Sequence, residues 1–325
     1  MITYTKNGRE EITSESYRRF GCVPPHVTIS TWFAFLLRHF VRPYQKCLYD
    51  LRVGGIHFLN ERSALMIPEH KTRAHYFSKP DLIYSDKVSK FALRVIEQTN
   101  GLPLRRLEQI FDKLFIDESQ DLAGYDLELV ELLLKSSIEI SLVGDHRQAT
   151  YSTHSTAKNK KYAGPNIVHK FEEWKKTGLC NIEYQNYSYR CIQPICDFAD
   201  QFHPDAPNTE AKNKEVTDHD GVFAVRKCDI PAYMEAYAPQ PLRYDLRTKD
   251  ILGKPINFGA AKGMTFERTL VYPHGPLKKF LRTGKIGDAG KEIAKIYVAI
   301  TRARQSVAFV VDDDSSVSGL TIFRP

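Results

Sequence analysis

Short apolar runs alternate with amphipathic stretches along most of the chain. "MITYT" reads as a strand and "GREEITSESYRRF" behind it as a helix. "HVTIST" is a second strand. "WFAFLLRHFVRPYQ" follows as a helix, with an apolar stripe at Phe33, Leu36, Leu37 and Phe40. Residues 46–105 are mixed and polar, and read as a small helical insert. Then come strand "KLFIDE", helix "YDLELVELLLKSS" and strand "IEISLVGD". Residues 152–166 look like an exposed basic loop. "NIEYQNYSYR" leads into a helix at "PICDFADQF", with Pro194 in its first turn. Strands "GVFAVRK", "PINFG" and "TLVYP" follow. A helix near 290–304 and a last strand, "SVAFVVDDD", close the chain.

Strands that alternate with helices predict an α/β protein built on parallel sheets. Two of the strands end in acid, at "LFIDE" and "SLVGD". Parallel sheets bind ligands beyond the carboxyl ends of their strands, so the acids lie where a ligand belongs. Asp117 and Glu118 have the form of a site in which an aspartate holds Mg²⁺ on nucleotide phosphates and a glutamate positions a water. Read alone, the same acids equally suit caps for the next helix.

Composition narrows the class. The 325 residues suffice for two ordinary domains. No segment is apolar enough to cross a bilayer, and the first residues turn charged without an apolar leader. The six cysteines are scattered and form no CxxC pair, which argues against a zinc site and fits a reducing, cytoplasmic setting. Forty-six basic against 39 acidic side chains leave +7, a weak lean toward a polyanionic partner.

The motifs separate the two readings of the acids. "FIDESQD" resembles the D-E-x-Q-D signature of UvrD/Rep-type superfamily I helicases, and "LVGDHRQATY" resembles that family's G-D-x-x-Q-x-x-Y. "NYSYRC" is similar to the N-Y-R motif, with Ser188 where asparagine is usual. "GAAKGMTFERTLVYP" is similar to the K-G-x-E motif, with Thr265 in place of the glutamate. "KIYVAITRARQSVAFV" resembles Y-V-A-x-T-R-A. Ahead of these, "ITYTKNGREEI" looks like the first motor domain's early strand and helix. "VTISTWFAF" looks like the T-F-H segment, with Phe33 in place of histidine.

The resemblance implies two RecA-like parallel-sheet motor domains, at 1–185 with the insert at 46–105 and at 186–325. It implies an ATP-dependent DNA helicase or single-stranded DNA translocase that uses ATP and Mg²⁺. Asp117 would hold the metal and Glu118 the water. Gln148 would sense the γ-phosphate, and Asp145, Lys262 and Gly263 would lie at the nucleotide. Arg190 and Arg302 would meet the charge that develops during phosphoryl transfer, reaching it across an interdomain cleft. Thr5, Thr31, Trp32 and Tyr151 would contact single-stranded or partly duplex DNA, with Tyr4 and Phe33 as further faces for base stacking. For Trp32 and Phe33 the helix core is the competing place. The resemblance would extend the partners to a nuclease or other DNA-processing protein, with no membrane.

Two departures accompany the resemblance. No G-x-x-x-x-G-K-[ST] phosphate loop occurs, and neither Gly253-Lys254 nor Gly284-Lys285 belongs to one. The expectation is an N-terminally truncated copy with an incomplete first domain. The alternative is a catalytically inactive short form that binds nucleic acid or a partner. In addition, only about seventy residues separate Arg190 from Lys262, too few for a large regulatory subdomain. That favours a compact core suited to translocation more than to strong unwinding.

Overall fold

The computed structural model describes residues 1–59, 61–150 and 158–325. The chain divides into two compact units, Met1–Ile182 and Glu183–Pro325.

The first unit is built on a four-stranded sheet. β1 (Ile2–Thr3) leads into α1 (Lys6–Phe20), and β2 (Ser30–Thr31) into α2 (Trp32–Leu36). Thr5 starts α1, its hydroxyl accepting from Gly8 N at 2.9 Å, and Gly21 ends it at φ 72°. A left-handed glycine is the common way to stop a helix. Thr31 caps α2, accepting from Ala34 N at 3.3 Å. The helix then widens into a π turn over Leu37–Val41.

Residues 46–105 carry β3 (Gly55–His57), α3 (Thr72–Tyr76), β4 (Phe77–Lys79), β5 (Leu82–Tyr84) and α4 (Val88–Gln98). The insert thus adds a three-stranded sheet, ordered β3-β5-β4, to its helices. α4 buries Val88, Phe91, Ala92, Val95 and Ile96, the i, i+3, i+4, i+7 stripe of a helix lying on a core. α5 (Leu102–Glu108) and β6 (Lys113–Ile116) follow, then α6 (Tyr125–Leu134), β7 (Glu139–Leu142) and α7 (Ile167–Lys176).

The main sheet runs β2-β1-β6-β7, and every pairing is parallel. Along β6 burial alternates: Leu114 and Ile116 face the core while Lys113 and Phe115 are exposed. Trp32, Phe40, Phe91, Leu127 and Trp174 belong to one core cluster. Burying each such side chain contributes about 1.5–3 kcal/mol.

The second unit holds β8 (Tyr187–Ser188), α8 (Gln193–Asp200), β9 (Glu210–Ala211), β10 (Gly221–Arg226), α9 (Ile230–Tyr237), β11 (Gln240–Arg243), β12 (Ile256–Asn257), β13 (Phe266–Tyr272), α10 (Gly275–Thr283), α11 (Ile293–Ile300), β14 (Ala303–Val311) and β15 (Thr321–Ile322). Its six-stranded sheet, β12-β11-β13-β14-β10-β15, is also parallel throughout. β14 shows why. Val307 and Phe309 join one core cluster, Ala308 and Val310 another, so both faces of the strand are covered. Such a strand reads as an unbroken apolar run. Among the described residues no helix is long and apolar enough to cross a membrane.

Candidate functional site

Asp117 and Glu118 lie just beyond β6. Ile2 O accepts from Asp117 N at 2.8 Å, so the carboxylates begin where β1 and β6 stop pairing. Glu118 then turns into the left-handed region at φ 56°. For a residue with a Cβ that costs about 1–2 kcal/mol. The turn is held on both sides: Ser119 N donates to Val143 O and Asp121 N to Glu118 O, each at 2.9 Å. Asp117 and Glu118 stay half-buried, while Ser119, Gln120 and Asp121 are buried.

Gln120 joins this turn to the end of β7. Its Nε2 donates to Glu118 Oε2 at 2.5 Å, and its Oε1 accepts from Asp145 N at 3.2 Å. Gly144 makes the approach feasible. A Cβ there would stand 2.5 Å from Gln120 Oε1 and 2.6 Å from Ser119 Oγ. Asp145 in turn collects Arg147 N and Nε at 3.0 Å and Gln148 Nε2 at 3.1 Å. Burial pushes the Asp145 carboxyl up, but the Arg147 guanidinium and these hydrogen bonds outweigh it and hold the group below its ordinary range. Asp117, Glu118, Asp145 and Gln148 therefore share one edge of one sheet. The sequence motifs contained Gln120 and Gly144 without assigning them a part. Their signal was position: a glutamine three residues after the strand-end aspartate, and a glycine ahead of the second acid.

Thr5 and Thr31 lie at the same carboxyl edge, after β1 and at the end of β2, and both serve as helix caps. Trp32 is 0 % exposed, and its indole N–H donates to Asp126 Oδ1 at 2.8 Å. No face of that ring is open to a base, and the core is where the structure puts it. Phe33 is partly buried, edge-on to Tyr4 at 6.1 Å and to exposed Phe58 at 5.6 Å. Tyr151 lies outside the described residues.

In the second unit Arg190 and Arg302 converge on Thr301. Arg190 Nη1 donates to Thr301 O, and Arg302 Nη2 to Thr301 Oγ1, each at 3.2 Å. Arg302 is 2 % exposed, and its Nε also donates to Val298 O at 3.2 Å. Thr265, the departure from the K-G-x-E pattern, accepts from Arg190 Nε at 2.9 Å. Phe266 N donates to Arg302 O at 2.9 Å, which ties this segment to the T-R-A segment. Lys262 is buried, and Gly263 takes φ 81°.

Mg²⁺ needs no protein cage. It takes one or two carboxylates and completes its octahedron with water and phosphate oxygens. Among the described residues no group of three or more His, Cys, Asp or Glu could hold a metal ion. The half-buried Asp117 at a strand end fits the sparser arrangement.

Residues 71–163 match the family model of the UvrD/REP helicase N-terminal domain. No curated protein matches the chain. Among solved structures, an arterivirus nonstructural protein 10 (helicase) in complex with DNA aligns with 95 % of this chain and 53 % of its own, at 12 % identity and a TM-score of 0.43. The PRRSV helicase aligns with 61 % of this chain and 34 % of its own, at 21 % identity and a TM-score of 0.36. Likenesses at such scores do not bear on the assignment. The chain spans about half or less of the length of these helicases. With two parallel α/β sheets of the kind expected for RecA-like domains, and with Asp117, Glu118 and Gln148 inside the matched stretch, the chain resembles the UvrD/REP-type superfamily I helicases.

Proposed function

We propose that the chain carries the acidic and arginine machinery of an ATP-driven helicase or single-stranded DNA translocase. The observation that carries this reading is Glu118. It is an acidic residue in a strained backbone turn at the end of a parallel strand, its carboxylate fixed by Gln120 and thereby linked to Asp145. Strain kept at a ligand edge points to function more than to packing.

Bound Mg-ATP would supply the phosphoryl group whose transfer drives movement. Asp117 would hold the metal. Glu118 Oε1 or Oε2 would take the proton of the attacking water, and Gln120 would keep that carboxylate aimed. Gln148, set on the same edge through Asp145, would report the terminal phosphate. Arg190 and Arg302 would offset negative charge in the transition state, a role worth about 10³ to 10⁵ in rate where an arginine performs it. The net charge of +7 suits a nucleic-acid partner, whose binding would weaken steeply with salt.

The test is ATP hydrolysis by the protein isolated from its natural source, with and without single-stranded DNA. The reading expects stimulation by the strand and its loss in Glu118→Gln. Hydrolysis indifferent to both would overturn it.

A further inference from the structure

Asp126 is 0 % exposed, yet among the described residues the side chains of Tyr4, Trp32 and Ser89, from separate segments, donate to it. Tyr4, just past β1, gives its hydroxyl to Oδ2. Trp32, the first residue of α2, gives its indole N–H to Oδ1 at 2.8 Å. Ser89, in the first turn of α4, gives its hydroxyl to the same oxygen. The carboxylate sits in the first turn of α6, where the helix dipole favours negative charge. A buried carboxylate is costly unless its oxygens are met, and here hydroxyl and indole donors meet them.

This arrangement has a direction. α6 begins four residues after Asp121, at the end of the carboxylate turn. Tyr4 lies between β1 and Thr5, on the edge where Thr5 and Thr31 cap their helices. Its ring is stacked near Trp32 at 6.4 Å and edge-on to Phe33 at 6.1 Å. An unpinned tyrosine at a strand end has several rotamers, and binding a strand would have to select one of them. With its hydroxyl held by Asp126, the ring is already set.

We propose that Asp126 is a positioning residue for single-stranded nucleic acid: it pre-orients the Tyr4 ring and binds that ring's placement to the helix that follows the carboxylate turn. This rests on the nucleic-acid reading given above. Asp126 touches no strand itself; it acts through Tyr4.

The test is binding of a fluorescently labelled oligothymidine to the full chain and to Asp126→Asn, Tyr4→Phe and the double variant, with melting curves as a control for folding. Each single change is expected to weaken binding about tenfold, and the double variant to bind no worse than the singles, as a shared interaction requires. Oligonucleotide binding should also alter tryptophan emission in the unmodified chain and not in Asp126→Asn, since Trp32 is one of two tryptophans and bonds the same carboxylate. Effects that multiply, or a folded Asp126→Asn that binds normally, would overturn the inference alone. Should Asp126→Asn not fold, Tyr4→Phe decides, because it removes only the donor, and unchanged binding overturns the claim. An unmodified chain that binds no oligonucleotide would overturn the nucleic-acid reading and this inference with it.

Discussion

Gln120 accepts the Asp145 amide at 3.2 Å, and it can do so only because Gly144 has no side chain. A methyl group at Gly144 would meet Gln120 Oε1, Ser119 Oγ and, at 3.1 Å, Gln120 N. The backbone atom cannot swing aside as a side-chain tip can. Gly144→Ala should therefore destabilise the first unit by about 1–3 kcal/mol, the usual cost of overpacking. Urea denaturation checks this, and a change under about 0.5 kcal/mol, as for a neutral surface substitution, would contradict it.

Glu118 should show a stability–function conflict. Glycine at this position relieves a left-handed strain of about 1–2 kcal/mol and gives back about 0.5–1 kcal/mol in chain entropy. Glu118→Gly is expected to be as stable as the parent or slightly more so, while losing hydrolysis. A clear fall in melting temperature would show that the turn is not strained in the way its φ implies.

Arg302 is the opposite case. Its buried guanidinium spreads donors over Val298 O and Thr301 Oγ1, a fork that an ammonium cannot reproduce. Arg302→Lys should cost the second unit about 2–4 kcal/mol, by analogy with a broken buried polar network. Calorimetry that resolves two transitions would show the later elements melting earlier, and an unchanged profile would contradict the packing described here.

Acid should weaken the first unit through His39. Burial, then the nearby Arg106 and Arg38 guanidinium groups, pull its pKa from 6.5 to about 4. Between those values the unfolded chain holds the proton and the native chain does not, so stability falls as pH drops from 6.5 toward 4. The full difference is on the order of 3 kcal/mol. Denaturation midpoints at either end of the window, for the parent and His39→Gln, isolate this from the carboxylates. A variant as acid-sensitive as the parent would contradict the assignment.

Much of this architecture was legible in the residues. "KLFI" alternates buried and exposed positions and is followed at once by acid, which marks a strand and the edge where the proposed site lies. "VAFVV" is apolar without a break because both faces of β14 are covered. Other parts were hidden for physical reasons. β11, "QPLR", lies inside the second sheet although Pro241 lacks an N–H, so its composition argues against a strand. The sheet within 46–105 is made of three-residue strands, too short to show alternation. The tie from Gln120 to Asp145 and the convergence of Tyr4, Trp32 and Ser89 on Asp126 depend on distant segments meeting. No local pattern records them. For Trp32 and Phe33 the sequence favours the helix core for at least one of the two over stacking on a base, and tertiary packing places Trp32 in the core.

The most direct measurement is ATP hydrolysis by the protein from its natural source, with and without single-stranded DNA, for the parent and Glu118→Gln. The account predicts strand-stimulated turnover in the parent and, for a lost general base, a fall of about 10²–10⁴-fold in the variant. Turnover that ignores the strand, or survives the substitution, would contradict the claim that the edge beyond β6 is a phosphoryl-transfer site.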